Sequence, residues 1–253
     1  MVLSSYVGAT VKRKEDPRLI TGSSTYVDDL QLPGMLHLAF VRSTLPHALI
    51  KGIDASAALE MPGVVAVVTA ADLKKVLKDF YVDATAGETG EDAPEAAAAD
   101  DKIPVPKVLP LADKKVRYVG DPVAAVIAET RAQAEDAVQF VEVDYEPLPA
   151  VFDADEAKKP GAPQLYDEVP NNISVREASV HGDVDAALAS APIKVKAKIR
   201  APRCAPAAME PRGVVAAPDP ITGGVTFWSS TQAPHWNRNA VADALGLSQN
   251  QVR

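Results

Sequence analysis

The sequence predicts an α+β chain: an α/β unit of strands and helices, then a hairpin that leads into a further helix. Three observations carry that reading. Val64-Val-Ala-Val-Val-Thr69 and Val123-Ala-Ala-Val-Ile-Ala128 are apolar, largely β-branched runs of strand length, as expected of strands buried on both faces. Each leads into a helix start of capping-box spacing, Thr69 with Asp72 and Thr130 with Gln133. Near the end, Val214-Val-Ala-Ala217 and Val225-Thr-Phe-Trp-Ser229 flank Asp219-Pro-Ile-Thr-Gly-Gly224, the pattern of a hairpin with a longer loop.

Taken in order, residues 1–35 read as an arm with turns at Gly22-Ser-Ser24, Asp28-Asp29 and Pro33-Gly34. Leu36 to Arg42 reads as a strand, and Asp54 caps a short helix through Glu60. The helix after Thr69 is expected to run to Phe80. Order resumes at Val116 to Gly120, ahead of the second buried strand at 123–128. In the helix after Thr130, residues Ala134, Ala137, Val138 and Val141 fall at i, i+3, i+4, i+7 and give one apolar face. The strand Val141–Tyr145, ending at Pro147, completes a strand–helix–strand unit with its helix on a sheet. Residues 150–180 are a Pro/Asn-rich connector, and Asp183 opens a helix to Ser190. Ile193 to Arg200 alternates apolar and cationic residues, the signature of a strand wet on one face. Pro234 starts the last helix and Gly246 ends it, with Trp236, Ala240, Val241, Ala244 and Leu245 expected on its buried side.

Hydrophobic residues make up 47% of the 253, enough for one large domain or two smaller ones. Aromatics are only 5%, so Val, Ala, Leu and Ile must build the core. The single cysteine, Cys204, excludes an internal disulfide and any cysteine-based metal or cluster site. The net charge of −8 is mostly local, because residues 83–101 carry seven acids and no base. That Ala/Gly/Pro-rich stretch, continuing to residue 107, reads as a surface insertion. No basic stripe offers a nucleic acid a footprint. No apolar run reaches membrane-spanning length, and the N-terminus lacks a secretory pattern, so the cytoplasm is the expected location.

No complete catalytic set can be assembled from these residues. His37, His47, His181 and His235 are scattered without metal-ligand spacing. Glu210, in Met209-Glu-Pro-Arg-Gly213, is either a general base or a hydrogen-bonded structural carboxylate. Gln232, where Trp228-Ser-Ser-Thr-Gln232 meets a helix start, is either a capping residue or a ligand group. Such junctions gather ligands because free backbone N–H groups and the helix dipole favour anions and oxygen atoms. The stop at Val252-Arg253, where another apolar segment begins, reads as an unfinished fold whose chemistry needs residues supplied elsewhere.

Many segments in register resemble the large, molybdenum-binding subunit of the xanthine oxidase family of molybdenum hydroxylases, most closely its aldehyde and carbon monoxide dehydrogenase-like branch. They include Glu15-Asp-Pro-Arg-Leu19, Pro33-Gly-Met-Leu-His37, Phe40-Val-Arg-Ser43 and Pro62-Gly-Val-Val-Ala-Val67. Val116-Arg-Tyr-Val-Gly120, Val143-Asp-Tyr-Glu-Pro-Leu-Pro149, Met209 to Gly213 and Ser230-Thr-Gln232 continue the series. Ser23-Ser-Thr25 and Thr44-Leu-Pro46 depart from the family's usual residues there.

The resemblance implies an N-terminal arm at 1–17, an α/β hammerhead domain at 18–150, a connector at 151–180, and an incomplete first molybdopterin-binding domain at 181–253. It assigns Gln232 to the cofactor, its amide bonding an oxygen ligand of molybdenum, and places no direct metal ligand on the protein. The family's glycine-rich pterin motif, substrate loop and catalytic glutamate would lie beyond Arg253, so a second chain is expected to complete the subunit. The implied reaction oxidises an aldehyde to a carboxylate with water as oxygen source. The expected cofactor is molybdenum-pterin, in a dinucleotide form, with [2Fe-2S] and FAD on partner subunits. Carbon monoxide or N-heterocycle oxidation is the alternative chemistry, and a cofactor-free hammerhead assembly module the non-enzymatic one.

Overall fold

The strand Pro122–Ala128 organises the larger part of the fold, because it is the middle strand of a sheet and is covered on both faces. The structure is a computed structural model that describes residues 8–77, 109–173, 181–202, 204–205 and 207–253. In chain order its elements begin with α1 (Asp16–Ile20), β1 (His37–Arg42), β2 (Ala48–Asp54), α2 (Ser56–Leu59), β3 (Val64–Thr69) and α3 (Ala70–Val76). They continue with β4 (Lys115–Val116), β5 (Pro122–Ala128), α4 (Arg131–Ala137), β6 (Glu142–Pro147), α5 (Ala154–Ala157) and α6 (Val184–Ser190). The series closes with β7 (Val214–Asp219), β8 (Gly224–Ser229) and α7 (Pro234–Leu245). They fall into two compact units: residues 34–204 with 243–246, and residues 1–33 with 205–242 and 247–253.

The first of these units holds two antiparallel three-stranded sheets, ordered β1-β5-β3 and β4-β2-β6. Strand alternation gives β5 two buried faces. Ala124 and Val126 pack with Val41, Ala58, Ala137 and Val141, so α2 and α4 close that side. Val123 packs with Ala48, Ala112 and Val116, while Ala125 packs with Ala70 and Leu111. Val123 and Val126 are fully buried, and each such side chain stabilises the fold by about 1.5–3 kcal/mol. The apolar face expected on the helix after Thr130 is present: Ala134, Ala137 and Val141 are buried, and Thr130 Oγ1 accepts the Gln133 N–H at 3.3 Å.

Several expectations need correction. Val64–Thr69 is not buried on both faces; β3 is an edge strand and Val65 is 55% exposed. Apolar composition cannot separate a central strand from an edge one, since pairing order decides it. The strand after α4 joins the second sheet rather than the one α4 packs on, so β5-α4-β6 bridges two sheets. Order does resume near Val116, as expected: Lys115–Val116 pairs, and the chain then turns with Tyr118 and Val119 exposed. The Asp121 carboxylate takes the Arg117 N–H at 3.0 Å and helps to bend that turn.

Residues 193–200 form no strand, and Ile193, Val195 and Ile199 are more than four-fifths exposed. Alternation specifies a strand only where a neighbour supplies the ladder, and none of the described residues does. Lys198 and Arg200 instead pair with Asp155 and Asp153. The last helix spans Pro234–Leu245 as expected, but Trp236, Ala240 and Leu245 are exposed, while Ala242 and Ala244 are buried. Periodicity names a face; what packs against it decides whether it is covered.

Three elements escaped the sequence, the first being the short helix α1 inside the arm read as turns. Strand β2 carries an irregularity between Ile50 and Gly52, which breaks the alternation that would have announced it. Helix α5 interrupts the connector, with the Asp153 carboxylate accepting the N–H groups of Asp155 and Glu156. At α3 the Thr69 N–H and hydroxyl both donate to Asp72, and the helix ends at Val76 because Leu77 is extended. Residues 78–80, expected to prolong it, and the acidic stretch 83–101 lie outside the described residues.

Candidate functional site

Gln232 sits where the β7–β8 hairpin hands over to α7. The hairpin pairs Val214 with Ser229 through Asp219 with Gly224. Its turn is fixed by Asp219, which accepts the N–H groups of Ile221 and Thr222 and the Thr222 hydroxyl, and these bonds hold the carboxyl below its usual range. At the open end, Ser230 N–H donates to Gly213 O at 3.2 Å. The Ser230 hydroxyl accepts the Gly213 N–H at 2.9 Å and donates to Pro211 O at 3.1 Å. Thr231 Oγ1 accepts the Ala233 N–H at 3.0 Å, and Pro234 then opens the helix. Gln232 itself is exposed, and its amide bonds to no other described residue.

The Met209–Gly213 segment that receives Ser230 is braced from the other side. Glu210 Oε1 accepts the Val27 N–H at 3.2 Å, which makes it a hydrogen-bonded structural carboxylate here. A side chain on Gly213 would meet Val27 Cγ1 at 3.1 Å, so that close approach favours glycine. Below α7, Arg238 reaches Gln249 Oε1 at 3.2 Å. Val252 pairs in parallel with Val225, and Phe227 N–H donates to Arg253 O at 2.8 Å.

His47 is buried, with Nδ1 donating to Pro149 O at 2.7 Å, and His235 is exposed on α7. Among the described residues no group of three or more His, Cys, Asp or Glu could hold a metal ion, and no helix is long and apolar enough to cross a membrane.

Sequence reasoning missed a cleft of about 560 Å³ in the two-sheet unit, lined by Lys115, Arg117, Tyr118, Asp121, Tyr166 and Asp167 among others. Arg117 Nε donates to Leu165 O at 2.9 Å, and its guanidinium lies 4.2 Å from the centre of the Tyr166 ring. Burial pushes the Asp121 carboxyl and the Tyr118 and Tyr166 phenols up, although Arg117 pulls Asp121 the other way. These contacts fasten residues 164–167 to the sheet; the linear signal was only a Tyr-Asp pair in a polar connector.

Comparison with known proteins gives this arrangement its class. The family described as "Aldehyde oxidase and xanthine dehydrogenase, a/b hammerhead domain" matches residues 21–149, and "Molybdopterin cofactor-binding domain" matches residues 165–253. The carbon monoxide dehydrogenase large chain of Hydrogenophaga pseudoflava is 40% identical over 95% of this chain and 29% of its own length. The nicotine 6-hydroxylase large subunit of Paenarthrobacter nicotinovorans is 37% identical over 99% of this chain and 29% of its own. The crystal structure of quinoline 2-oxidoreductase from Pseudomonas putida 86 superposes with a TM-score of 0.81 at 32% identity, covering 97% of this chain and 29% of that one.

The two matches together describe a hammerhead domain followed by the start of a molybdopterin cofactor-binding domain. The chain belongs to the xanthine oxidase family of molybdenum hydroxylases and corresponds to the N-terminal part of its large subunit. It spans about 29% of the length of the relatives named above. The donor set at the β8–α7 junction fits such a cofactor: Gln232 offers two exposed N–H donors, and the first turn of α7 carries no acidic residue.

Proposed function

We propose that this chain forms one wall of the active site of a molybdenum hydroxylase, with Gln232 directed at the cofactor. The observation that carries the reading is the exposed, unpartnered Gln232 amide at the head of α7, inside the segment matched by the molybdopterin-binding family. An amide suits the position because it donates to an oxygen atom without becoming a competing anionic ligand. When bound, the molybdenum–pterin group, in a dinucleotide form, supplies two-electron redox chemistry at a substrate carbon. The chain's own contribution is to hold that group and shape the cavity beside it, through Gln232 and the braced hairpin end. The remaining length of the large subunit would supply the substrate loop and the general base, and partner subunits with [2Fe-2S] and FAD would take the electrons, in the cytoplasm. The substrate is an aldehyde, oxidised to the carboxylate with water as oxygen source; the proposed domain limits are 18–150 for the hammerhead and 181–253 for the cofactor domain.

A second reading keeps the cofactor and changes the substrate. Relatives named for carbon monoxide, nicotine and quinoline favour carbon monoxide or an N-heterocycle. One experiment addresses both. The assembly containing this chain is isolated from its native host, its metals are measured, and aldehydes, carbon monoxide and N-heterocycles are each offered with an acceptor dye in isotopically labelled water. Molybdenum and iron that co-elute with the chain, and label in a carboxylate product, are expected. An active, metal-containing assembly that ignores aldehydes would move the proposal to the second reading. A stable metal-free assembly would overturn both and leave a cofactor-free hammerhead module.

A further inference from the structure

Two hydroxyls frame Gln232, and neither is accounted for by the role given to the amide. Ser230 joins β8 to the Met209–Gly213 segment: its N–H donates to Gly213 O, and its hydroxyl accepts the Gly213 N–H and donates to Pro211 O. Thr231 closes a local turn by accepting the Ala233 N–H. Gln232 therefore lies on a stretch whose entry is clamped by Ser230 and whose exit is folded by Thr231 into the first turn of α7. The Met209–Gly213 segment is itself tied down by Glu210 on the Val27 N–H. The amide has no partner of its own within the described chain, so its position rests on this frame alone.

We infer that Ser230 and Thr231 are positioning residues for Gln232, setting where its amide stands relative to the bound cofactor. This rests on the assignment of Gln232 to the cofactor. A hydrogen-bonding group displaced by about 1 Å loses on the order of 100-fold in rate, so loosening the frame should resemble deleting the amide.

The test uses the complete assembled enzyme and four variants: Ser230→Ala, Ser230→Thr, Thr231→Val and Gln232→Ala. Molybdenum content, kcat and KM, and the Mo(V) electron paramagnetic resonance signal are read for each. Ser230→Ala and Thr231→Val are expected to keep full molybdenum content, lower kcat tenfold or more with little change in KM, and shift the Mo(V) signal as Gln232→Ala does. Ser230→Thr, which keeps the hydroxyl, should restore kcat and signal. Combining Gln232→Ala with Thr231→Val should cost little beyond Gln232→Ala alone, because both act through one amide. Thr231 is exposed and valine is its near isostere, so that variant remains informative if Ser230→Ala does not accumulate. If Gln232→Ala changes kcat and signal while Thr231→Val leaves both untouched, the positioning role is overturned and the amide's role stands. If Gln232→Ala changes neither, the cofactor assignment itself fails.

Discussion

Lys115 Nζ donates to Asp167 Oδ1 at 2.9 Å, yet the two ends of that bond lie in different surroundings: the lysine side chain is 10% exposed and the aspartate 85%. The same ammonium also reaches Gln164 O at 3.2 Å. Lys115 holds the Asp167 carboxyl below its usual range, but water screens that half of the pair. Asp167→Asn should therefore cost about 0–1 kcal/mol. Lys115→Ala should cost more, about 1–3 kcal/mol, because it removes a buried stem and unties the Gln164 carbonyl as well. Denaturant midpoints of the two variants check the asymmetry; equal losses would contradict it.

Asp72 gives the fold an acid-sensitive point. Bonds from Lys75 and from the Thr69 N–H and hydroxyl lower its carboxyl from 3.8 to about 2. The folded value lies below the unfolded one, so the stabilisation is present above about pH 4 and is lost as pH falls towards 2. NMR titration of Asp72, with stability measured across that window, should show the loss in the native sequence. In Asp72→Asn the corresponding slope should be absent.

The two apolar runs that look alike in sequence should respond differently to truncation. Val126 is fully buried in the central strand, whereas Val65 is 55% exposed on the edge strand. Val126→Ala should cost about 2–3 kcal/mol and Val65→Ala less than about 1 kcal/mol. Thermal unfolding of the pair reads the difference directly.

Gly224 is held by space rather than by backbone angle. A methyl group there would lie 2.5 Å from the backbone oxygen of Gln251, so the 249–253 segment or the hairpin must move. Gly224→Ala should destabilise by about 1–3 kcal/mol. Hydrogen exchange should quicken at the Phe227 and Arg253 amides, whose bonds to Arg253 O and Val225 O register the two segments. Unchanged protection at those amides would contradict the close fit.

For function, Gln232→Ala in the assembled enzyme is expected to lower turnover by roughly 100-fold, the scale of removing one oriented donor, with assembly and molybdenum content unchanged. Gln232→Glu should fare no better, since it exchanges donors for an anion. Steady-state kinetics beside metal analysis decide the matter; native turnover in both variants would remove Gln232 from the site.

What could be read from the chain follows from how local each signal is. The caps at Thr69, Thr130 and Asp183 were legible because donor and acceptor lie within three residues. The Asp219–Gly224 turn was legible for the same reason. Pairing order was not: nothing in Val64–Thr69 says that it will stand at an edge while 123–128 stands in the middle. Residues 193–200 show the converse, a faultless alternation with no described neighbour to make it a strand. Gln232 stood out by its strand-to-helix junction, and only the resemblance weighted it towards a ligand group; its frame was hidden because Ser230 meets Gly213 and Pro211 seventeen and nineteen residues back.

Thr69 pairs with Ala124, and the acidic stretch 83–101 lies on the length of chain between them. The length of chain between two paired strands enters their closure entropy only logarithmically, by about 0.6 kcal/mol for each doubling. The register of β3 on β5 is set by side-chain fit within the sheet. A change of length between Leu77 and Leu109, whether it arises over generations or at an engineer's bench, therefore bears only weakly on the alignment of the sheet.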